Sequence, residues 1–171
     1  MLGVRQTCGE TMRRSREYRQ AVEAIIGRPL VRRDGESEAE LRRAERRLRV
    51  TLPGAMREYY LLAAAARENR EHNRLYRPSE LVIEDEYLVF MEENQSVVHW
   101  GLPIPAEKDP DPEVWQRTNG DMPEWYSEEM PFSVFIIENL AWQRGIELSN
   151  KRLQQEANKK LSFRSRRRSA E

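Results

Sequence analysis

An α+β fold is what this sequence predicts, and three observations predict it. Amphipathic helical periods recur between residues 15 and 67. Apolar runs at 87–90 and 96–100, rich in β-branched and aromatic residues, flank a turn-compatible Glu92-Glu93-Asn94-Gln95. A helical period returns after Ser133. At 171 residues the chain is long enough for one domain with a proper core, with 39% hydrophobic and 34% charged residues.

The helices are justified in order by their caps and faces. Residues 1–14 show no periodicity and read as a disordered N-terminus. Ser15 is placed to cap a helix to Ile26, with Tyr18, Ala21, Val22, Ile25 and Ile26 on one face, Gly27 as its stop and Pro29 beyond. Residues 31–35 read as a linker. Ser37 with Glu40 three residues on forms a capping-box signature, followed by the stripe Leu41, Ala44, Leu48, with the arginines left to water. Pro53 suits the first turn of a third helix whose buried face is Met56, Tyr59, Tyr60, Ala63 and Ala64. The alanine run is strong helix former, so this helix is expected to continue through Arg67.

After a polar connection over 69–79 and a short piece at 80–83 comes the hairpin. Behind it, Pro103, Pro105, Pro110 and Pro112 stiffen an extended acidic loop carrying Glu107, Asp109, Asp111 and Glu113 and ending on Val114-Trp115. Residues 118–131 read as turn. Ser133 is expected to cap a helix with Val134, Phe135, Ile137, Leu140 and Ala141 inward and Gly145 as its stop. The segment 146–161 reads as a weaker C-terminal helix, and 162–171 as a disordered basic tail.

The formal charge is zero but segregated. Residues 1–50 hold 13 Lys/Arg against 8 Asp/Glu, residues 81–131 hold 2 against 13, and residues 132–171 hold 9 against 4. An acidic field of that kind steers a basic partner and repels nucleic acid, leaving the tail from Arg164 to Arg168 as the remaining place for such a contact. The single cysteine, Cys8, fits a reducing compartment, and no apolar run is long enough to span a membrane. A cytoplasmic location is expected.

The chemistry-bearing motifs are few. His72 and His99 lack companions at metal-ligand spacing, so no metal and no cofactor are expected. No phosphate-cradling glycine loop or nucleophile elbow occurs. Glu92/Glu93 and Asp109/Asp111 are carboxylate pairs of the kind used in acid–base work, but no partner set accompanies them, and catalytic residues are not expected. Trp100, Trp115, Trp125 and Trp142 sit in or beside the predicted sheet and last helix, where large rings complete a modest core. Trp100 or Trp115, among prolines and acids, is alternatively an aromatic anchor for a partner.

The order of these features resembles the SUKH superfamily, which includes a fungal cell-wall-synthesis regulator and many bacterial immunity proteins. The resemblance rests on Leu52-Pro53 with Arg57 and Tyr59-Tyr60, on the hairpin 87–100, on the Asp109-Pro110-Asp111-Pro112-Glu113-Val114-Trp115 element, and on the aromatic helix 132–142. It covers roughly 38–145 within a domain of 15–145. One departure is that no glycine follows the helix after Leu52-Pro53.

The resemblance implies a mixed, mostly antiparallel sheet with helices packed against it, no enzymatic activity, and the role of an immunity protein that binds and neutralises a cognate nuclease or deaminase toxin. Glu92, Glu93, Asp109, Asp111 and Glu113 would then face the toxin's basic site, with Trp100 or Trp115 in apolar contact. The alternative is a regulatory or scaffold adaptor for endogenous proteins.

Overall fold

The computed structural model describes residues 8–105, 109–120 and 124–146. Four helices, α1 (Cys8–Ile26), α2 (Glu38–Leu48), α3 (Gly54–Leu62) and α4 (Phe132–Gln143), accompany six strands. The strands are β1 (Arg74–Leu75), β2 (Val82–Glu84), β3 (Tyr87–Glu92), β4 (Val98–Pro103), β5 (Glu113–Thr118) and β6 (Trp125–Pro131). They form one sheet in the order β1-β3-β4-β5-β6, with β2 also paired to β3, and every pairing is antiparallel. This is the α+β fold that the helical and strand periods predict. The C-terminal helix expected at 146–161 lies, but for Ile146, outside the described residues, as do the tail, Glu107 and residues 1–7.

Local signals start α2 and stop α1 where the sequence predicts. The Ser37 hydroxyl accepts from the Glu40 amide at 3.2 Å, and the Glu40 carboxylate accepts in return from the Ser37 amide at 3.1 Å. Leu41 and Ala44 are buried beneath this box. Gly27 closes α1 at φ 70°, donating to the Glu23 carbonyl at 3.0 Å. One aromatic chain then ties the layers. Tyr18 of α1 meets Tyr59 of α3 edge-on at 5.4 Å, Tyr59 meets Phe132 of α4 at 6.3 Å, and Phe132 meets Phe90 of β3 at 5.2 Å.

Several expectations are corrected. α1 begins at Cys8, ahead of Ser15, whose hydroxyl instead points to Glu58 of α3 at 3.5 Å. Pro53 is the N-cap of α3, not its first turn. The alanine run is not helix, because α3 ends at Leu62. There the Asp34 carbonyl accepts from the Ala65 and Ala66 amides at 2.8 and 3.1 Å, and the Asn69 side-chain amide donates to the Ala63 carbonyl at 2.8 Å. Tertiary hydrogen bonds with buried small side chains outweigh alanine's helix propensity. Residues 113–118 and 125–131, read as loop end and turn, are the paired strands β5 and β6.

Ser133 does not cap α4. It lies inside the first turn, and its amide and hydroxyl both donate to the Asp111 carboxylate, at 2.9 and 2.6 Å. Pro112 takes the Phe132 amide at 2.9 Å and Pro110 takes the Ala55 amide at 2.8 Å. The acidic Pro loop is therefore a clasp across the first turns of α3 and α4. Its carboxylate at Asp111 offsets the positive end of the α4 dipole.

Candidate interaction surface on the sheet

Strand register decides which side chains share a face. A row crosses the whole sheet, from Arg74 on β1 through Glu92, His99 and Arg117 to Trp125 on β6. A second row runs Val82, Val89, Gly101, Trp115, Ser127. Both rows lie on the face opposite α4. The helix-facing side carries Phe90 and Trp100, which pack on Phe135 at 6.0 and 5.9 Å. The register shift between Val89 and Met91 is the reason Phe90 and Met91 are both buried, since an extra residue there changes the alternation.

On the outer face the polar side chains are tied across the strands. Glu92 accepts from Arg74 at 2.7 Å and from the Tyr76 hydroxyl at 2.9 Å. Burial pushes its carboxyl up, but these two bonds outweigh burial and hold it below the usual carboxylate range. His99 stands between Glu84, at 3.6 Å, and Glu92, at 3.8 Å. Arg117 bridges to Asp85 at 2.8 Å and to Glu84, and its guanidinium lies 5.4 Å from the centre of the Trp125 ring. Tyr87 stacks on Trp125 at 4.1 Å and leans on Trp115 at 5.8 Å.

Gly101 makes this aromatic shelf possible. A Cβ there would stand 3.0 and 3.1 Å from the Trp125 ring and 3.1 Å from Tyr87. Gly101→Ala is therefore expected to lift the Trp125 ring, to cost about 1–2 kcal/mol as an overpacking change, and to shift tryptophan emission. Urea unfolding followed by fluorescence checks it, and an unchanged spectrum with unchanged stability would show that the rings do not lie over Gly101.

The structure scatters the residues expected at a partner site. Glu92 and Trp115 stand on the outer face, and Glu113 joins them by accepting from Ser127, the residue opposite Trp115. Glu93 sits at the β3–β4 turn and accepts from the Gln95 amide at 2.9 Å. Trp100 is on the other side, 8% exposed, donating to Glu128 at 2.8 Å, so it is a core residue. Asp109 accepts the Asp111 amide at 3.0 Å inside the clasp.

Sequence reasoning missed Arg74, His99, Arg117 and Trp125. The alternation His99-x-Gly101 and Trp115-x-Arg117 is the signal that places each pair on one face. Three nitrogens there, His99 Nδ1, Arg117 Nε and Trp125 Nε1, are buried without a hydrogen-bond partner among the described residues.

Among the described residues no group of His, Cys, Asp or Glu side chains is placed to hold a metal ion, and no helix is long and apolar enough to cross a membrane. No family model, no curated protein and no solved structure matches this chain.

Proposed function

We propose that this chain is an immunity-type protein of the SUKH kind, which binds and neutralises a basic toxin acting on nucleic acid, without catalysis of its own. The observation that carries the proposal is where the acidic stretch lies. Strands β2 to β6 are all drawn from residues 81–131, which hold 13 acids and 2 bases, while α1 and α2 are drawn from the arginine-rich first 50 residues. Segregation along the chain thus becomes segregation between sheet and helices. Asp85, Glu86, Glu124 and Glu129 are exposed on that acidic part. A nuclease or deaminase needs a basic cleft for its phosphates, and an acidic surface is the electrostatic complement of one.

The fold shifts the expected contact set. Asp111 is engaged on α4 and Trp100 in the core, so the proposed contacts are the exposed Glu86, Glu124 and Glu129, with Glu93 at the β3–β4 turn and Trp115 on the outer face. A tagged pull-down read by mass spectrometry should yield one dominant partner with a basic effector domain. Reversing Glu86, Glu124 and Glu129 to lysine should slow association about tenfold or more at low salt, an effect that fades as salt is raised. A spread of endogenous binders would favour the adaptor reading. An unchanged association rate would remove the acidic sheet from the interface.

A further inference from the structure

We propose that the outward face of α2 binds the phosphate backbone of a nucleic acid, independently of base sequence and separately from the toxin reading. By residue count α2 is nearly neutral, with Glu38, Glu40 and Glu45 against Arg42, Arg43, Arg46 and Arg47. The fold unbalances it. Glu40 is engaged in the Ser37 capping box, and Glu38 and Glu45 both accept from Arg57 of α3, Glu45 at 2.9 Å. Arg47 is turned to the Pro78 and Leu81 carbonyls, at 3.1 and 2.9 Å. The outward charged side chains of α2 outside these bonds are arginines.

The geometry of that remainder suits a polyanion. Leu41, Ala44 and Leu48 face the core, and at 100° per residue Arg46 stands directly opposite them, flanked by Arg42, Arg43 and Arg49. All four are exposed, as are Arg32 and Arg33 in the turn just before the helix. Arg42 keeps one exposed ion pair, to Glu38 at 3.0 Å. Arg43, Arg46, Arg49, Arg32 and Arg33 form none among the described residues.

By contrast, Arg28, Arg57, Arg74, Arg117 and Arg144 each hold a carboxylate. Arg42, Arg46 and Arg49 rise along the axis in steps of roughly 6 and 4.5 Å, a ladder of planar forks that engage phosphate oxygens two at a time. With no aromatic between them, they give a backbone contact without base readout.

Fluorescence anisotropy with a labelled dT20 strand and the full chain tests this. To separate α2 from the basic C-terminal residues, the measurement is repeated in a variant with Arg164, Arg166, Arg167 and Arg168 changed to alanine. Binding should fall about thirtyfold between 50 and 200 mM salt, as expected for roughly three to four phosphate contacts on a single strand. Arg43→Glu with Arg46→Glu should weaken it about tenfold or more in both backgrounds, with circular dichroism unchanged because both side chains are solvent-facing.

The proposal is overturned if the α2 substitutions leave affinity unchanged, or if the C-terminal substitutions alone abolish binding. It also fails if poly-glutamate of equal charge competes as well as dT20, which would make α2 a site for acidic protein. The toxin reading is tested on other residues and by another readout, so either can fail alone.

Discussion

Arg28→Ala is expected to lower stability by about 2–3 kcal/mol at pH 7, below the range for a fully buried ion pair because the Arg28 side chain is 36% exposed. Arg28 follows the stop of α1 and reaches two carboxylates at once. Its Nη1 and Nη2 lie 2.8 and 3.0 Å from Asp34, and its Nε and Nη2 lie 3.2 and 3.1 Å from Glu68. Asp34 is 5% exposed and Glu68 2%, so both are left without their charged partner in a largely buried setting when the guanidinium is gone. The same set anchors three segments: α1 through Arg28, the turn before α2 through Asp34, and the turn after α3 through Glu68. Arg28→Lys should recover only part of the loss, since an ammonium cannot serve two carboxylates with a fixed fork.

The pH dependence gives this expectation a second readout. The bonds from Arg28 hold the Asp34 carboxyl below its usual range. For Glu68 burial pushes upward, but the Arg28 bonds outweigh it and the net shift is also downward. A depressed carboxyl stabilises the fold above the unfolded value, near pH 4, and that contribution is lost as pH falls through the folded value. The gap between parent and Arg28→Ala should therefore be widest at pH 7 and close as pH drops below about 4. Urea unfolding at several pH values measures it. A pH-independent gap would mean that Arg28 acts by packing alone.

What the sequence made legible was what is decided within a few residues. Ser37 and Glu40 identify each other across one turn, Gly27 stops α1 by its own backbone freedom, and the 87–100 hairpin announces itself by β-branched and aromatic runs. What it hid is decided by partners far along the chain. Trp125 to Pro131 carries two glutamates and a proline and is a strand because β5 lies beside it. The Ala63 to Ala66 run breaks from helix because Asp34 and Asn69 hold its backbone.

The surface row from Arg74 to Trp125 needs strand register, and the irregularity at Phe90 changes the alternation on which a reading by twos depends. Asp111 reads as an exposed acid because Ser133, its partner, is 22 residues away. The charge count misled for α2 in the same manner, since it cannot tell a glutamate held by Arg57 from one facing solvent.

Gly35→Ala tests the other feature that sequence alone concealed. Gly35 has φ −100° and ψ 152°, extended backbone open to any residue, so its need for glycine is a matter of space. A Cβ there would stand 1.9 Å from the Leu61 carbonyl oxygen and 2.7 Å from its carbon, and both are backbone atoms that no rotamer change can move aside. The two segments are held together from both sides. Glu36 donates its amide to the Tyr60 carbonyl at 2.8 Å, and Ala65 donates to the Asp34 carbonyl at 2.8 Å.

Making room for one methyl means breaking those bonds or displacing α3. The expected cost is about 3 kcal/mol or more, at the upper end for overpacking and opposite in sign to the usual stabilisation by Gly→Ala. Gly120→Ala, where nothing lies within 4 Å, is the matched control and should be nearly neutral. Thermal unfolding of the pair decides the matter, because a Gly35→Ala melting point equal to that of Gly120→Ala would mean that the chain before α2 does not press on the end of α3. If the loss is as large as expected, the contact that sets α2 on the body of the protein is a backbone-to-backbone one. The arginine face of that helix then has its orientation fixed by a residue with no side chain at all.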